Sequence, residues 1–159
     1  MHNTTFSPFS PTRSRIWTAA RFVAQSAPPR VLVVDDYIDS ADVLAAFLSN
    51  HGFAARVAYN GCDALQIANE WHPDSVVLDV AMPGLSGLAV ARTLRESPGT
   101  ASVPLLAYTA CDPGDNYAEL RESGFDGVCA KPIDPLVVVD ILATLLGTVA
   151  LSRQRYYRS

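Results

Sequence analysis

The sequence predicts an α/β protein in which a doubly wound, five-stranded parallel sheet carries five helices on its two faces. Two observations support this fold class. Short apolar runs rich in β-branched residues, typical of strands buried on both faces, alternate with longer amphipathic segments of helical periodicity. The alternation is repeated along residues 30–148, which indicates strand–helix units and therefore a parallel sheet.

The first half of the repeat contains three strands and two helices. The strands are predicted at residues 31–34, 54–58 and 75–80, and the helices at residues 40–50 and 61–71. Gly52 is placed to end the first helix, since glycine readily adopts the left-handed conformation that follows many helices. Pro73 prevents the second helix from continuing, because proline lacks the amide hydrogen that a helix interior needs.

The second half begins with a Met-Pro-Gly turn at residues 82–84. Helices are predicted at residues 86–95, 112–123 and 134–146, and strands at residues 103–108 and 127–130. Gly124 ends the middle helix of the three. Asp134 is a suitable N-cap for the last helix, and Pro135 then occupies the first helical position, where proline is tolerated.

Both ends of the chain differ from this core in composition. Residues 1–29 are rich in Ser, Thr, Pro and Arg, contain no acidic residue and are predicted to be a disordered basic extension. Two consecutive prolines at positions 28 and 29 mark the boundary with a domain at residues 30–148, because they resist both helix and central strand. Residues 149–159 are predicted to be a short basic tail.

The net charge of −4 conceals a strong separation of charge along the chain. Residues 30–150 contain 6 Lys and Arg against 16 Asp and Glu, an excess of ten negative charges. An acidic domain is not expected to bind nucleic acid directly, but it can hold a cation. No apolar run approaches the roughly 20 residues that a membrane span requires, so no membrane association is expected.

Polar side chains follow four of the five predicted strands. Asp35 and Asp36 follow the first strand, Asp79 the third, Thr109 the fourth and Lys131 the fifth. Right-handed crossovers place the carboxyl ends of parallel strands along one edge, where ligands bind near the switch in strand order. We therefore expect these five side chains to converge, although they are far apart in the sequence.

Three carboxylates packed closely repel one another, and a bound hard cation relieves that repulsion. A small set of oxygen ligands suits Mg²⁺, or Mn²⁺, which keeps several waters and accepts oxygens from a phosphate. A carboxylate oxygen can then attack phosphorus, a reaction that needs mainly positioning and charge neutralisation. Asp79 is the expected nucleophile, and Lys131, Thr109 and the cation can each take a phosphoryl oxygen. Asp35 and Asp36 are the expected metal ligands, directly or through water.

Each of these residues taken alone has a simpler explanation. An aspartate after a strand often caps the next helix, a threonine there can be an ordinary turn residue, and Lys131 could be a solvated surface residue. Separate explanations of this kind do not account for five polar groups that end four strands along a single edge. The combined pattern therefore favours a functional site.

Four motifs resemble the receiver domains of two-component response regulators. They are Val-Val-Asp35-Asp36, the run Leu-Asp-Val-Ala-Met-Pro-Gly-Leu-Ser-Gly at residues 78–87, Thr109-Ala110 and Lys131-Pro132-Ile133. They occur in the family's order on the corresponding predicted elements, and the resemblance covers residues 30–148. It implies the flavodoxin-like receiver fold, with five strands in the order 2-1-3-4-5.

The resemblance also implies a role for the acidic residues. Asp79 corresponds to the family's phosphoacceptor. Asp35 and Asp36 correspond to the acidic pair that binds Mg²⁺ together with Asp79, and the backbone carbonyl of Ala81 corresponds to a further metal ligand. Phosphorylation would accordingly take place inside the metal site.

The remaining motifs correspond to the family's switch residues. Thr109, followed by Ala110, resembles the hydroxyl residue that moves toward the phosphoryl group, and Lys131 resembles the lysine that bonds it. The peptide bond before Pro132 is expected to be cis, as in the family. One position departs from the pattern, because Val128 stands where the family usually has Tyr or Phe. Since valine is too short and stiff to swing like an aromatic ring, we expect a weaker or different output face.

Three functions are compatible with these residues. The favoured one is a stand-alone cytoplasmic receiver, not a turnover enzyme. It would take a phosphoryl group from a histidine kinase or histidine phosphotransfer protein and signal by contact with an unidentified downstream protein. A second is a receiver fragment of a hybrid histidine kinase. A third is a phosphatase with an aspartyl-phosphate intermediate, but such enzymes usually carry Asp-x-Asp, whereas Asp35 and Asp36 are adjacent.

Overall fold

The computed structural model describes residues 14–18, 24, 26–110 and 117–147. Strands and helices alternate along these residues. The strands are β1 (Ser14–Ile16), β2 (Arg30–Val34), β3 (Ala54–Ala58), β4 (Ser75–Leu78), β5 (Leu105–Thr109) and β6 (Gly127–Ala130). The helices are α1 (Ile38–Ser49), α2 (Gly61–Trp71), α3 (Gly87–Glu96), α4 (Tyr117–Ser123) and α5 (Pro135–Leu145). The predicted α/β class is confirmed.

All of these strands belong to one sheet, in the order β1-β6-β5-β4-β2-β3. Strands β2 to β6 run parallel to their neighbours among themselves. Numbered alone, these five strands have the order 2-1-3-4-5, which confirms the predicted doubly wound topology. The switch in strand order lies between β2 and β4, so the carboxyl ends of these two strands flank the crevice in which such sheets bind ligands.

Strand β1 corrects the prediction that the sheet has five strands, and it lies within the stretch that was predicted to be a disordered extension. Residues Ser14–Ile16 form a sixth strand, antiparallel to β6. Three residues are too few to show the alternation by which a strand is recognised, so the sequence pattern could not reveal it. The physical cause is the edge of β6, whose backbone N–H and C=O groups can pair with a further strand.

A hydrophobic core lies on each face of the sheet. Val33 and Leu106 belong to the core that contains the buried residues of α1 and α5, such as Leu48. Leu32 belongs to the opposite core, which contains Val90 of α3 and buried residues of α2 and α4. Neighbouring residues of β2 therefore enter different cores, as the alternation of a strand requires. Covering both faces explains why the central strands are continuously apolar.

The predicted helix boundaries are close to the observed ones. Helix α1 begins at Ile38, slightly before its predicted start. Gly52, which was expected to end this helix, has a φ of 93°, in the left-handed region that glycine tolerates. Asp134 caps α5 as predicted, because its Oδ1 atom accepts a hydrogen bond from the Leu136 amide at 2.9 Å.

Some predictions fall on parts of the chain that the structure does not describe. These are most of the predicted extension, at residues 1–13, 19–23 and 25, the first residues of the fourth predicted helix, at 112–116, and the tail at 149–159. The peptide bond between Lys131 and Pro132 is cis, as expected. Among the helices of the described residues, none combines the length and the apolar character needed to cross a membrane.

Candidate metal centre and phosphoryl site

Asp35 and Asp79 directly follow the two central strands β2 and β4. The Asp35 amide donates to the Ala58 carbonyl at 3.1 Å, and the Asp79 amide donates to the Val34 carbonyl at 2.9 Å. Both bonds continue the pairing of the sheet and fix the backbone from which each side chain extends. The side chains are therefore held by the most rigid part of the fold, at the switch in strand order.

Asp35, Asp36 and Asp79 form one acidic cluster. Each residue offers a carboxylate oxygen, and these oxygens lie within 4.8 Å of one another. Asp35 and Asp79 are only 3% and 8% exposed, whereas Asp36 is open to solvent. Carboxylate oxygens at this spacing suit a hard divalent cation such as Mg²⁺, and their mutual repulsion favours its binding. The donor set therefore fits the metal that the sequence predicts.

Lys131 reaches the same cluster from the end of β6. Its Nζ atom lies 2.5 Å from Asp35 Oδ2 and 3.7 Å from Asp79 Oδ2. The ammonium group also lies 5.0 Å from the centroid of the Tyr108 ring, within the range of a cation–π contact. The Lys131 amide donates to the Thr109 carbonyl at 2.8 Å, which holds the lysine backbone beside β5. Lys131 thus bonds Asp35 directly and faces Asp79 at a longer distance.

The two buried carboxyl groups have pKa values shifted in opposite directions. The pKa of Asp79 is raised to about 6, chiefly by burial and in part by the charge of Asp35, although Lys131 and the Ala81 amide oppose the rise. Burial also raises the pKa of Asp35, but hydrogen bonds from Lys131 and the Tyr37 amide outweigh it and hold that pKa below its ordinary value. The ammonium group therefore neutralises Asp35 more than Asp79.

The backbone of Asp79 is held by a close approach of α3. A Cβ atom placed on Gly87, the first residue of α3, would lie 2.1 Å from the Asp79 carbonyl oxygen and 2.7 Å from Val80 Cα. Only glycine fits there. The side chain of Asp79 is oriented in addition by the Ala81 amide, which donates to its Oδ1 atom at 3.2 Å. Sequence reasoning included Gly87 in a motif but missed this role.

Thr109 and Ala110 lie at the same edge of the sheet. Thr109 ends β5, is 2% exposed and stands opposite Ala130 in the register of β5 and β6. Ala110 follows it and is exposed. Because β5 is the direct neighbour of β4, the hydroxyl residue belongs to the rim that carries Asp79. The structure thus brings Asp35, Asp36, Asp79 and Lys131 together and places Thr109 at the carboxyl end of the neighbouring strand.

Val128, the departure from the family pattern, is fully buried inside β6. It belongs to the core that faces α4, and it stands opposite Ala107 of β5. Lys131 instead has an aromatic neighbour in Tyr108, which packs against the other core. Sequence reasoning did not single out Tyr108; its position directly before Thr109 was the available signal.

Comparison with known proteins agrees with this architecture. Residues 31–143 match the family model of the response regulator receiver domain. The chain is 36% identical over 109 residues to the response regulator PleD of Caulobacter vibrioides, covering 69% of this chain and 24% of PleD. It is 30% identical over 118 residues to the protein PilH of Pseudomonas aeruginosa, covering 74% of this chain and 98% of PilH. The chain thus spans about a quarter of PleD and nearly all of PilH.

Solved structures give the same result. The chemotaxis protein CheY4 of Vibrio cholerae superposes with a TM-score of 0.72 at 27% identity, covering 76% of this chain and all of CheY4. The receiver domain of the sensor histidine kinase PA1611 of Pseudomonas aeruginosa, with a magnesium ion in its active site cleft, gives a TM-score of 0.70 at 25% identity and covers 76% of this chain. With a family match over most of its length, this chain belongs to the response regulator receiver domain family.

Proposed function

We propose that Asp79 accepts a phosphoryl group with the help of a divalent cation, and that this reaction switches the domain between two signalling states. Receiver domains act in two-component phosphorelay signalling. One observation carries the assignment to Asp79. Its carboxylate lies within 4.8 Å of those of Asp35 and Asp36, and the Lys131 ammonium stands 3.7 Å away.

The proposed reaction is an in-line transfer from a phosphorylated histidine. A carboxylate oxygen of Asp79 forms the new bond to phosphorus while the bond from phosphorus to the imidazole nitrogen breaks. The electron pair of the broken bond stays on that nitrogen, which then takes up a proton. Asp79 must be ionised to attack. Burial raises its pKa in the metal-free site, and a cation bound beside it would favour the ionised form.

The metal would be held by the carboxylates of Asp35, Asp36 and Asp79 and by the carbonyl of Ala81. Bound Mg²⁺ or Mn²⁺ supplies positive charge that neutralises phosphoryl oxygens. Asp35 and Asp79 contribute buried oxygens, and Asp36 contributes one from the solvent side. The assignment of Ala81 rests on the family resemblance and on its position two residues beyond Asp79.

Lys131 and Thr109 are proposed to bind the transferred group. Lys131 Nζ is bonded to Asp35 at 2.5 Å and lies 3.7 Å from Asp79, so a small displacement of the ammonium brings it to a phosphoryl oxygen. The Thr109 hydroxyl, with Ala110 beside it, would take a second oxygen. Because Val128 cannot swing as an aromatic ring does, the output of this switch would differ from the family's usual one.

The proposed donor is a histidine kinase or a histidine phosphotransfer protein. Exposed apolar side chains lie beside the acidic rim: Tyr37 and Ile38 are 65% and 54% exposed, and Val43 of the same helix is 65% exposed. Exposed apolar side chains near the proposed phosphoacceptor offer contact area for a helical partner. We propose that the signal then passes to a downstream protein by direct contact, and not to nucleic acid, because this domain is acidic.

We further propose that the protein works in the cytoplasm as a switch and not as a turnover enzyme. Cys62 and Cys129 are free thiols, which suits a reducing compartment. Its own chemistry would be limited to taking up and losing one phosphoryl group. The division of the chain into an extension, a domain at residues 30–148 and a tail remains a prediction.

The test is incubation with a small phosphodonor and Mg²⁺, followed by measurement of the intact mass. We expect an adduct of about 80 Da that survives acid and is lost in base. The matched variant is Asp79→Asn, which keeps the shape of the side chain but cannot form an acyl phosphate, and it should show no adduct. If wild-type protein forms no adduct with any phosphodonor, the proposal is wrong.

A further inference from the structure

The sixth strand, β1, covers the edge of the sheet that β6 would otherwise form. Strand β6 is followed directly by Lys131, which reaches the candidate phosphoryl site. In the antiparallel pairing of β1 and β6, Ser14 stands opposite Cys129, Arg15 opposite Val128, and Ile16 opposite Gly127. Without β1, strand β6 would be the edge strand and would present unpaired backbone groups. The chain therefore supplies its own covering strand.

The residues that follow β1 are anchored in a partly buried polar network around Asp126. The Trp17 amide donates to the Asp126 carbonyl at 3.0 Å, and its indole Nε1 donates to the Phe125 carbonyl at 2.5 Å. The Thr18 hydroxyl donates to Asp126 Oδ1 at 2.5 Å. Asp126 is 6% exposed and also accepts from Arg95 of α3 at 2.8 Å. Segment 14–18 is thus specifically bound and is not merely laid on the surface.

Helix α4 also contacts this segment, through its first residue. The rings of Trp17 and Tyr117 meet edge to face, with centroids 6.1 Å apart and planes at 72°. The guanidinium group of Arg15 lies 5.3 Å from the centroid of the same tyrosine ring. Tyr117 therefore joins β1 to α4.

Gly127 shows how closely β1 fits. A Cβ atom placed there would lie 2.7 Å from the Arg15 carbonyl oxygen, nearer than van der Waals contact permits. Its backbone does not have the positive φ that would itself require glycine. The absent side chain is therefore needed for the approach of β1, which gives an independent sign that this pairing is built into the sequence.

Strand β6 connects this pairing with the proposed chemistry. Lys131 directly follows β6, its amide is bonded to the Thr109 carbonyl at 2.8 Å, and its ammonium is bonded to Asp35. A phosphoryl group on Asp79 would offer the Lys131 ammonium a new partner in place of Asp35, and the Lys131 backbone is joined to the ends of both β5 and β6. Because the fit of β1 around Gly127 leaves little room, a displacement of β6 weakens that fit.

We propose that segment 14–18 is a clasp whose hold on β6 loosens when Asp79 is phosphorylated. This inference rests on the proposed function of Asp79. It gives the chain an output element of its own at the strand where Val128 replaces the usual aromatic residue. Coupling between two sites is reciprocal, so loosening the clasp must also favour the phosphorylated state, by about five-fold or more for a typical coupling.

Tryptophan fluorescence tests the clasp directly, because the sequence contains only two tryptophans, Trp17 and Trp71. In the Trp71→Phe variant, emission reports Trp17 alone. After treatment with acetyl phosphate and Mg²⁺, we expect a red shift of the emission and stronger quenching by iodide, as Trp17 leaves Tyr117. Amide hydrogen exchange in the peptide that contains residues 14–18 should accelerate about five-fold or more.

Two glycine substitutions provide a matched pair. Gly127→Ala in the same background should give the red-shifted emission without phosphodonor, and should raise the phosphorylated fraction at low donor concentration about five-fold or more. Gly99→Ala is the control, because its added Cβ would meet no atom within 4 Å, and it should change neither quantity. If Gly127→Ala does not fold, the clasp is still tested by amide hydrogen exchange of residues 14–18 in the wild-type chain, measured with and without phosphodonor.

The intact mass of each sample separates the possible failures. An adduct on Asp79 with unchanged Trp17 emission and unchanged exchange in residues 14–18 overturns the clasp and leaves the proposed function standing. Absence of an adduct overturns the proposed function, and the clasp with it. An adduct with both changes supports the clasp.

Discussion

At the scale of single residues, the site depends on how one ammonium group is shared between two buried carboxylates. Lys131 Nζ lies 2.5 Å from Asp35 but 3.7 Å from Asp79. Burial is the main cause that raises the pKa of Asp79, whereas for Asp35 the hydrogen bonds from Lys131 and the Tyr37 amide outweigh burial and hold the pKa below its ordinary value. The sequence predicted that these residues meet. It could not predict that Lys131 lies closer to Asp35 than to Asp79, because a motif does not specify distances to within about an ångström or the degree of burial.

The pKa of Asp79 makes the stability of the protein depend on pH. Because the folded state raises this pKa from 3.8 to about 6, the folded protein holds the proton more tightly than the unfolded chain. Stability is therefore lost as pH rises from about 4 to about 6. In the absence of divalent cations, Asp79→Asn should raise the free energy of unfolding at neutral pH by about 1–3 kcal/mol.

Urea denaturation at neutral pH and at about pH 4 measures this effect, since the gain should largely disappear once Asp79 is protonated. Glu122→Gln, an exposed acid of similar charge, is the control and should change the unfolding free energy little. If the asparagine variant is no more stable than the wild type at neutral pH, then burial of the ionised Asp79 carboxylate does not destabilise the fold.

At the scale of elements, two close approaches of backbone determine where the secondary structure packs. Gly87 brings α3 against Asp79, and Gly127 brings β1 against β6. The positions of the parallel strands and of α3 followed from the sequence, because their apolar runs and turn residues are distinct. Strand β1 did not, because Ser-Arg-Ile has no recognisable pattern and forms a strand only where β6 offers its edge.

Gly87→Ala tests the first of these approaches. A Cβ atom 2.1 Å from the Asp79 carbonyl forces α3 away from the sheet, so we expect a loss of about 2–4 kcal/mol in unfolding free energy. Intrinsic helix propensity alone would favour alanine. Urea denaturation distinguishes the loss of stability expected from the clash from the gain expected from helix propensity. Gly99→Ala is the control, because its added Cβ meets no atom within 4 Å. A Gly87→Ala protein as stable as the wild type would contradict the described packing.

At the scale of the whole molecule, the parallel sheet brings residues that are far apart in the sequence together at one edge. Asp35 and Lys131 are separated by 96 positions, yet their side chains bond. This is why a single sequence was sufficient to predict the fold class and the acidic rim, whereas the strand order followed from the family resemblance. Features that depend on how one element packs on another, such as the fit of β1 and the burial of Val128, could be seen only in the structure.

Cation binding should stabilise the fold as a whole, because the unfolded chain has no preformed acidic cluster. At neutral pH, Mg²⁺ at about 100 times its Kd should add about 2.7 kcal/mol to the unfolding free energy. Carboxylate ligands bind metal when ionised, so this gain should shrink as pH falls through the Asp79 pKa of about 6. Thermal denaturation with and without Mg²⁺ measures it, and Asp79→Asn should lose most of the response. A Mg²⁺ response that is independent of pH would contradict the assigned ligands.

The central claim is that Asp79, among the sixteen acidic residues of the chain, takes the phosphoryl group. Borohydride reduces an acyl phosphate to an alcohol, so treatment of the phosphorylated protein marks the modified aspartate as homoserine. Peptide mass mapping should then find homoserine at position 79 and the unchanged acid at Asp35 and Asp36. Homoserine at either of those positions, with Asp79 intact, would contradict the account.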